Sequence, residues 1–302
     1  MNKDMEMKRT SEIIAKWVFT VFAIVAIVAV CSITVYMIYI GTPALSELGV
    51  IDLLFGTEWK PTADEPKFGI FYVILTSVLG TTVSLLVGVP IGILTAVFLA
   101  EIGNKNLVKI VQPAVELLAA VPSVIYGLLG IMILKPLIYQ LEMVIYKNSP
   151  DHQFTGGANF LSAIIVLAIM ILPTVINIST SSIRAVQPSI KSASLALGAT
   201  KIQTIFKVVL PAAKSGIMTA VVLGMGRALG EAMAINLVAG GVVNFPLPFQ
   251  SVRFLTTAIV GEMSYSSGLH RQVLFTIGLV LFVFILFTNL ILTRLIKKGE
   301  PE

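Results

Sequence analysis

Long stretches without Asp, Glu, Lys or Arg are the feature that most restricts how this chain can fold. Five such stretches lie between charged residues, namely Lys16 and Glu47, Lys67 and Glu101, Glu116 and Lys135, Asp151 and Arg184, and Arg271 and Arg294. A helix needs about 20 apolar residues to cross the hydrocarbon core of a bilayer. A sixth apolar stretch, 216–238, is interrupted by Arg227 and Glu231. The pattern predicts an all-α polytopic membrane protein with six transmembrane helices.

The composition supports this prediction and excludes other classes. Only 12% of the 302 residues are charged and 56% are hydrophobic, whereas about 25% of a soluble domain is charged. This balance argues against a secreted enzyme, a nucleic-acid-binding protein and a disordered scaffold. The single cysteine, Cys31, lies in an apolar run, so neither a disulfide framework nor a thiolate metal site is expected. We expect no metal or cofactor, and a multi-pass position among the lipids of the cell membrane.

The basic residues predict the orientation, because Lys and Arg concentrate in cytoplasmic loops. With both termini in the cytoplasm, fourteen basic residues are cytoplasmic, Arg227 is in the membrane, and six are external: Lys60, Lys67, Lys135, Lys147, Arg253 and Arg271. The apolar part of the first span is longer than the roughly 7–15 residues of a cleavable signal. The predicted organisation is a cytoplasmic segment 1–16, a first helix 17–40, an external loop 41–68, a five-helix core 69–296 and a cytoplasmic tail 297–302.

The longest cytoplasmic segment, about 181–215, contains five basic residues and no acidic one. Pro188 suits a helix start, and Gly198 can end one short helix before another begins. Within the second helix an apolar stripe is expected at Ile202, Ile205, Phe206 and Val209. Two interpretations fit such a segment. It can rest on anionic lipid as an interfacial helix, or it can dock into a groove on a soluble partner.

The charged pair in the fifth span has the spacing of residues that share a helix face. Arg227 and Glu231 are at i and i+4, so an ion pair is expected. Inserting Arg at mid-membrane costs about 2.5–3.5 kcal/mol on insertion scales, so both residues should face the bundle interior or a wet cavity. Gly226 and Gly230 form a G-x-x-x-G ridge that would allow close helix approach, and Gly88 and Gly92 do the same in span two.

Two interpretations of this pair remain open. A buried Arg–Glu pair can simply fix helix packing. Alternatively, Arg227 attracts an anion in a translocation path, because a guanidinium matches tetrahedral oxyanions with its forked donors. Glu231 can then accept a hydrogen bond from the proton that phosphate retains near neutral pH and sulfate lacks. It can also neutralise Arg227 when the path is empty.

The cytoplasmic segment resembles the loop of bacterial ABC importer permeases, whose pattern is Glu-Ala-Ala, Gly, Ile and Leu-Pro at fixed spacing. Here Ser192, Ala193 and Ser194 are followed in register by Gly198, Val208, Leu210 and Pro211. Ser192 stands where the family has Glu and cannot supply that carboxylate contact. The resemblance implies that this loop docks on a separate ATPase, through Ser192, Ala193, Ser194, Gly198, Ala199, Thr200, Ile202, Ile205 and Phe206. The chain has no G-x-x-x-x-G-K-[ST] phosphate-binding loop, so we expect it not to hydrolyse ATP.

Four further stretches, 55–61, 116–127, 224–234 and 267–270, narrow the resemblance to the C-type subunit of phosphate-specific ABC permeases. It implies a type I ABC importer permease-like fold that imports inorganic phosphate. The implied partners are an A-type permease subunit, two ATPase subunits and an external phosphate-binding protein. The alternatives are a permease for another oxyanion such as sulfate or molybdate, an ATP-independent channel or carrier, and an intramembrane enzyme. The docking loop argues against the second, and the lack of paired carboxylates or a histidine cluster argues against the third.

Several other residues have more than one interpretation. Pro122 should kink span three, where Ser123 and Tyr126 can line a polar path with Arg227 and Glu231 or serve packing alone. Glu116 favours a loop contact near the cytoplasmic end of that span. His152 and His270 are expected to be solvated in external segments, without metal ligands near them. Trp59 is either an interfacial anchor or a contact for the external binding protein.

Overall fold

The computed structural model describes residues 2–298, with side chains from 12 to 294, so positions 299–302 of the predicted tail lie outside the described residues. Within that part, five helices are long and apolar enough to cross a bilayer. A pair bent by 69°, Lys201–Ala212 with Lys214–Gly230, makes a sixth when it is counted as one span. The predicted polytopic all-α fold is confirmed, with five such helices and with the helix Lys214–Gly230 of the bent pair in the region of the fifth predicted span.

The chain is almost entirely helical, with one small β-hairpin near its N-terminal third. The elements in order are α1 (Asn2–Leu48), α2 (Val50–Phe55), β1 (Trp59–Lys60), β2 (Lys67–Phe68), α3 (Phe71–Val97), α4 (Lys105–Ala120), α5 (Ser123–Leu129), α6 (Lys135–Ile145), α7 (Phe160–Arg184), α8 (Pro188–Ala196), α9 (Lys201–Thr204), α10 (Leu210–Ala212), α11 (Lys214–Gly230), α12 (Met233–Val238), α13 (Leu255–Glu262) and α14 (Gly268–Lys298). Three π-helical turns, Phe98–Ile102, Gly130–Leu134 and Ile205–Val209, connect consecutive helices.

Helix α7 is the centre of the bundle. In the most apolar 18-residue stretch of α7, 61% is buried inside the protein, whereas 0% of the corresponding stretch of α1 is buried. Helices α3 and α11 pack on it, and Leu167 and Ile171 are fully buried in the largest hydrophobic cluster. Because lipid tails are themselves apolar, helices in a bilayer pack chiefly through close van der Waals fit. A buried α7 therefore fixes the positions of the helices around it.

The glycines of α3 provide that fit, as the sequence predicted. A Cβ atom at Gly88 would lie 2.7 Å from Ile171 Cδ1, and one at Gly92 would lie 2.7 Å from Val175 Cγ1. Such distances are shorter than real carbon contacts, so only glycine allows α3 and α7 to approach this closely. The predicted ridge in span two is confirmed.

No helix among the described residues packs on the second predicted ridge, in span five. A Cβ atom at Gly226 or Gly230 would meet nothing within 4 Å. The glycines of α11 that face α7 are Gly216, where a Cβ would overlap Ser182, and Gly224, where a Cβ would lie 3.2 Å from Val175. The G-x-x-x-G spacing is present, but Gly226 and Gly230 lie on a part of α11 that no neighbouring helix covers.

Replacing Gly88 by Val is expected to destabilise the folded chain by about 1–3 kcal/mol, the usual cost of overpacking a tight interface. The added methyl groups would collide with Ile171 on α7. Gly226→Ala is the matched control, since its Cβ meets open space and alanine favours helix. The measurement is the thermal unfolding midpoint of the purified chain in detergent. An unchanged midpoint for Gly88→Val would contradict the close contact between α3 and α7.

The third span lies further along the chain than predicted. The expected span ended at Lys135, whereas the helical stretch long enough to cross a bilayer is Ser123–Ile145, with Lys135 half-buried inside it. The assignment of Lys135 to an external loop is therefore wrong. Helix α4 is a separate segment because the chain is extended at Val121, with ψ 127°. A residue before proline avoids the helical region, so Pro122 forces the break that was expected as a kink.

The segment 41–68, predicted as an external loop, is folded. Helix α1 continues to Leu48, α2 follows, and Trp59 pairs with Phe68 in an antiparallel hairpin. Lys67 Nζ lies 2.9 Å from Glu58 Oε2. A hydrogen bond from Lys67, together with the charge of Lys60, lowers the pKa of the Glu58 carboxyl.

Both histidine side chains are largely buried, so the prediction that they are solvated is wrong. The His152 side chain is 8% exposed, its Nε2 lies 2.9 Å from Glu142 Oε1, and its ring stacks on Tyr146. His270 Nε2 lies 2.7 Å from Glu262 Oε2. Each histidine is paired with a carboxylate that was not predicted from the sequence as its partner. The pairing satisfies polar groups that would otherwise be costly to bury.

Candidate functional site

Arg227 lies in the last turn of α11 and is half-buried. Its Nη1 donates a hydrogen bond to Thr174 Oγ1 on α7, at 3.3 Å. The partner is neutral, and no ion pair among the side chains that the structure describes includes Arg227. A guanidinium has five N–H donors. Its charge therefore lies inside a transmembrane segment with a hydroxyl, not a carboxylate, beside it.

Glu231 does not form the expected pair with Arg227. Helix α11 ends at Gly230, and Glu231 is extended with ψ 127°, so the i, i+4 spacing no longer places both residues on one helix face. The Glu231 side chain instead turns toward the next helix, where Oε1 accepts a hydrogen bond from the backbone N–H of Ala234 at 2.9 Å. The predicted intrahelical pair is wrong because the helix stops between its two members.

The break after α11 is nevertheless buried, and its polar groups are hydrogen-bonded. Glu231 is 9% exposed. Its backbone carbonyl accepts a hydrogen bond from Thr256 Oγ1 on α13, at 2.6 Å. Its carboxylate caps the first turn of α12, which would otherwise leave an N–H group without a partner. An interrupted helix in a membrane is stable only when its released backbone groups are satisfied in this way.

Tyr126 and Ser123, the other two predicted path residues, lie on α5. Tyr126 is 7% exposed, and its hydroxyl donates to the carbonyl of Leu118 at 2.7 Å across the break between α4 and α5. Its ring belongs to the same hydrophobic cluster as Ala228, the residue after Arg227. These contacts favour the packing interpretation for Tyr126. Ser123 is half-buried at the first position of α5, and no hydrogen bond within the described residues joins it to the other three.

A polar stripe on α7 was not anticipated from the sequence. Thr174, Asn177 and Ser181 recur at helical spacing along one face of α7, with Thr174 and Asn177 half-buried and Ser181 exposed. Thr174 is the partner of Arg227. The signal was present in the sequence as polar residues at i, i+3 and i+7 inside an apolar run. Together with Arg227, the stripe forms a partly exposed polar surface along α7 and the end of α11.

The cytoplasmic segment has the helix–Gly–helix shape that was predicted. Helix α8 begins with Pro188 at its first position, and Gly198 adopts a φ of +87°, which suits glycine. The Thr200 side chain accepts a hydrogen bond from the backbone N–H of Gln203, and the Gln203 side chain accepts one from the backbone N–H of Thr200. This capping box starts α9. Its pattern, Thr followed three residues later by Gln, is present in the sequence but was not used in the prediction.

The apolar stripe of this segment is divided between core and surface. Ile205 and Val209 are 2% and 0% exposed and pack in the chain's own core, whereas Ile202 and Phe206 are 56% and 46% exposed. Ile205 therefore lies too deep to contact a partner directly. The division follows from the π-helical turn Ile205–Val209, which changes the helical register.

The remaining predicted coupling residues are exposed or half-buried at this end of the bundle: Ser192, Ala193, Ser194, Gly198, Ala199 and Thr200. Ser192, which replaces the family's glutamate, donates back to the carbonyl of Pro188 at 3.1 Å. Lys191 forms an ion pair with Glu101, which holds α8 to the turn after α3. Leu197 is 90% exposed, and sequence reasoning did not single it out.

Comparisons with known proteins agree with this architecture. The family model for the binding-protein-dependent transport system inner membrane component matches residues 88–299. The chain is 37% identical over 296 residues to the probable ABC transporter permease protein YqgH of Bacillus subtilis, covering 95% of this chain and 93% of that protein. It is 34% identical over 254 residues to the phosphate transport system permease protein PstC of Haemophilus influenzae, covering 80% and 79%.

Solved structures show the same fold at lower sequence identity. A chain of a bacterial alginate ABC transporter, solved in complex with an alginate-bound periplasmic protein, superimposes with a TM-score of 0.65 at 20% identity. The match covers 94% of this chain and 95% of that one. The fold is therefore that of a type I ABC importer permease.

Proposed function

The chain belongs to the family of binding-protein-dependent transport system inner membrane components, and from that membership we propose that it passes inorganic phosphate across the membrane. It is a permease subunit of an ABC importer, in which ATP hydrolysis belongs to separate subunits. Phosphate is the more specific part of the proposal. Relatives that are 31–34% identical over about four fifths of this chain are named phosphate transport system permease proteins.

One observation carries the proposal, namely the environment of Arg227. A guanidinium placed in a membrane span beside a neutral threonine, with no carboxylate paired to it, attracts anions. The polar stripe of α7 extends from Thr174 to the exposed Ser181. An anion attracted by Arg227 would therefore meet hydroxyl and amide groups along α7, not bare hydrocarbon. Forked donors match tetrahedral oxyanions, so phosphate fits this position.

Glu231 supplies the proposed selectivity for phosphate over sulfate. One carboxylate oxygen accepts a hydrogen bond from the N–H of Ala234, and the second oxygen is proposed to accept a hydrogen bond from the hydroxyl that phosphate retains. Sulfate lacks this hydroxyl and would meet only repulsion. Because the break after Gly230 leaves the carboxylate hydrogen-bonded to Ala234 and not paired with Arg227, the two charges are proposed as separate contacts for one anion.

The proposed assembly follows from the same membership. We propose that the chain pairs with an A-type permease, that two ATPase subunits bind below, and that a phosphate-binding protein delivers the ion from outside. Both termini are placed in the cytoplasm by the distribution of basic residues. The cytoplasmic segment is proposed as the ATPase contact, with the exposed Leu197, Ile202 and Phe206 as its apolar part.

Replacing Leu197 by Ala is expected to weaken binding of the ATPase by about tenfold, because burying a Leu side chain contributes about 1.5–3 kcal/mol. At 90% exposure, Leu197 contributes little to the fold of the chain itself. The measurement is the amount of ATPase that co-purifies with the permease at a series of salt concentrations. Leu286→Ala on α14, where the side chain is 49% exposed, is the matched control. Equal loss in both variants would contradict a specific contact at Leu197.

The proposed substrate is tested by reconstituting the complete complex with its binding protein in proteoliposomes. We expect ATP-driven uptake of radiolabelled phosphate that unlabelled phosphate competes away and excess sulfate does not. Competition by sulfate at equal strength would shift the substrate to another oxyanion. Uptake by the chain without ATP or partners would favour an ATP-independent carrier.

A further inference from the structure

A buried carboxylate joins three separate elements at the hairpin end of the bundle. Glu262, the last residue of α13, is 4% exposed and contacts the β-hairpin, the loop before α13 and the start of α14. We propose that Glu262 is a positioning residue that links the hairpin surface to the break beside Arg227, through α13. This inference rests on the proposed function, since it assumes that the break at Glu231 borders the anion path.

The outer end of α13, at Glu262, is held by a cluster of four polar side chains, Glu262, Trp59, Arg253 and His270. Glu262 Oε1 accepts a hydrogen bond from Trp59 Nε1 at 3.2 Å and pairs with Arg253 Nη1, and Oε2 lies 2.7 Å from His270 Nε2. Arg253 Nε in turn donates to the carbonyl of Gly241 at 2.7 Å. The indole N–H of Trp59 is thus hydrogen-bonded within the chain itself. Its ring packs edge-on against Phe68 of the hairpin.

The inner end of α13, at Leu255 and Thr256, is also held by hydrogen bonds to neighbouring elements. Thr256 Oγ1 donates to the backbone carbonyl of Glu231 at 2.6 Å. The N–H of Leu255 donates to Ser77 Oγ on α3 at 2.8 Å. With 8 residues α13 is only about 12 Å long, too short to cross the membrane. It is a short rod with one end in the Glu262 cluster and the other at the break that carries Glu231.

The polar cluster around Glu262 is better suited to fixing the relative positions of the elements that it joins than to stabilising the fold. Buried ion pairs are often no more stable than well-packed apolar residues of the same size. A fully satisfied polar network does, however, fix one geometry rigidly. A displacement of the hairpin would move Trp59, then Glu262 and α13, and finally the carbonyl of Glu231. The hairpin lies on the side proposed to be external, where a binding protein would reach it.

The chain contains a matched control for this inference. Glu142 is also fully buried and also pairs with a histidine, His152, and with Thr155. Its partners join the end of α6 to the segment before α7, and none of its hydrogen bonds leads to α13 or to the break. Glu142 and Glu262 are therefore both buried carboxylates paired with a histidine, but only Glu262 also pairs with an arginine and leads to α13.

The experiment compares Glu262→Gln with Glu142→Gln in the complete complex with its binding protein. For Glu262→Gln we expect normal assembly and basal ATP hydrolysis, but about a tenfold loss of the stimulation by the binding protein, the size expected for losing one charge-assisted hydrogen bond. Glu142→Gln should retain stimulation. Stimulation that is normal in Glu262→Gln, or lost equally in both variants, would overturn the inference.

The inner end of α13 provides a second test that does not depend on the stability of Glu262→Gln. Thr256→Val removes the hydroxyl that reaches Glu231 and should reproduce the loss of stimulation, while Thr256→Ser should restore it. In the double variant the losses should not add, because both variants break one link. If Glu262→Gln does not assemble, normal stimulation in Thr256→Val overturns the inference. A wild-type complex that the binding protein fails to stimulate would instead contradict the proposed function.

Discussion

Replacing Arg227 by Gln is expected to lower ATP-driven phosphate uptake by about 10- to 100-fold, the equivalent of losing a charge-assisted hydrogen bond of about 1.5–3 kcal/mol. The complex should still assemble, because Arg227 has a single weak contact with Thr174 and no ion pair among the described side chains. Glutamine retains a donor for Thr174 but not the positive charge. Uptake of radiolabelled phosphate by proteoliposomes is the measurement, with co-purified ATPase as the measure of assembly.

Two control variants separate charge from packing at this position. Arg227→Lys keeps the charge but loses the forked donors, so uptake should fall between that of the wild type and that of Arg227→Gln. Thr174→Val removes the hydrogen-bond partner that Arg227 has among the described residues and should reduce uptake only mildly. Normal uptake by Arg227→Gln would remove Arg227 from the mechanism. Loss of assembly in Arg227→Gln would favour the packing interpretation.

Replacing Glu231 by Gln is expected to reduce the preference for phosphate over sulfate by about tenfold, about 1.4 kcal/mol in discrimination. The amide oxygen can still accept the hydrogen bond from Ala234, so the start of α12 is retained. What is lost is the negative charge that repels sulfate and accepts a hydrogen bond from the hydroxyl of phosphate. The measurement is competition by sulfate against phosphate uptake in proteoliposomes, with the wild type alongside.

Glu116→Gln is the matched control, since Glu116 is a carboxylate on α4 whose described hydrogen bond comes from Gln112 on the same helix, not from a residue at the break after α11. It should leave the preference for phosphate unchanged. An unchanged preference in Glu231→Gln would show that this carboxylate caps α12 and does nothing for the anion. Sulfate uptake that decreases with phosphate uptake in that variant would contradict the proposed selectivity as well.

The sequence predicted the features that depend on local pattern. Apolar runs of bilayer length located most of the spans, because the thickness of the hydrocarbon core sets one length for all of them. Pro188 and Gly198 located the two short cytoplasmic helices, because each residue restricts the backbone at its own position. Gly88 and Gly92 indicated a close helix approach that the structure confirms.

Features that depend on long-range contacts were missed or wrong. Arg227 and Thr174 are 53 positions apart, and no local pattern connects them. The predicted ion pair between Arg227 and Glu231 was wrong because residues at i and i+4 share a face only in a continuous helix, and α11 ends at Gly230. The buried His270 could not be recognised because its partner, Glu262, belongs to a short helix too small to resemble a span.

The accessibility of Thr174 tests the central claim most directly, namely that Arg227 borders a wet path for anions. Cys31 is the only cysteine, so Cys31→Ser provides a background in which Thr174→Cys is the single thiol. In the assembled complex, we expect a negatively charged thiol reagent to modify Thr174→Cys, and phosphate to slow the reaction. A thiol at position 174 that reacts no faster than Leu286→Cys, or at a rate indifferent to phosphate, would contradict the account.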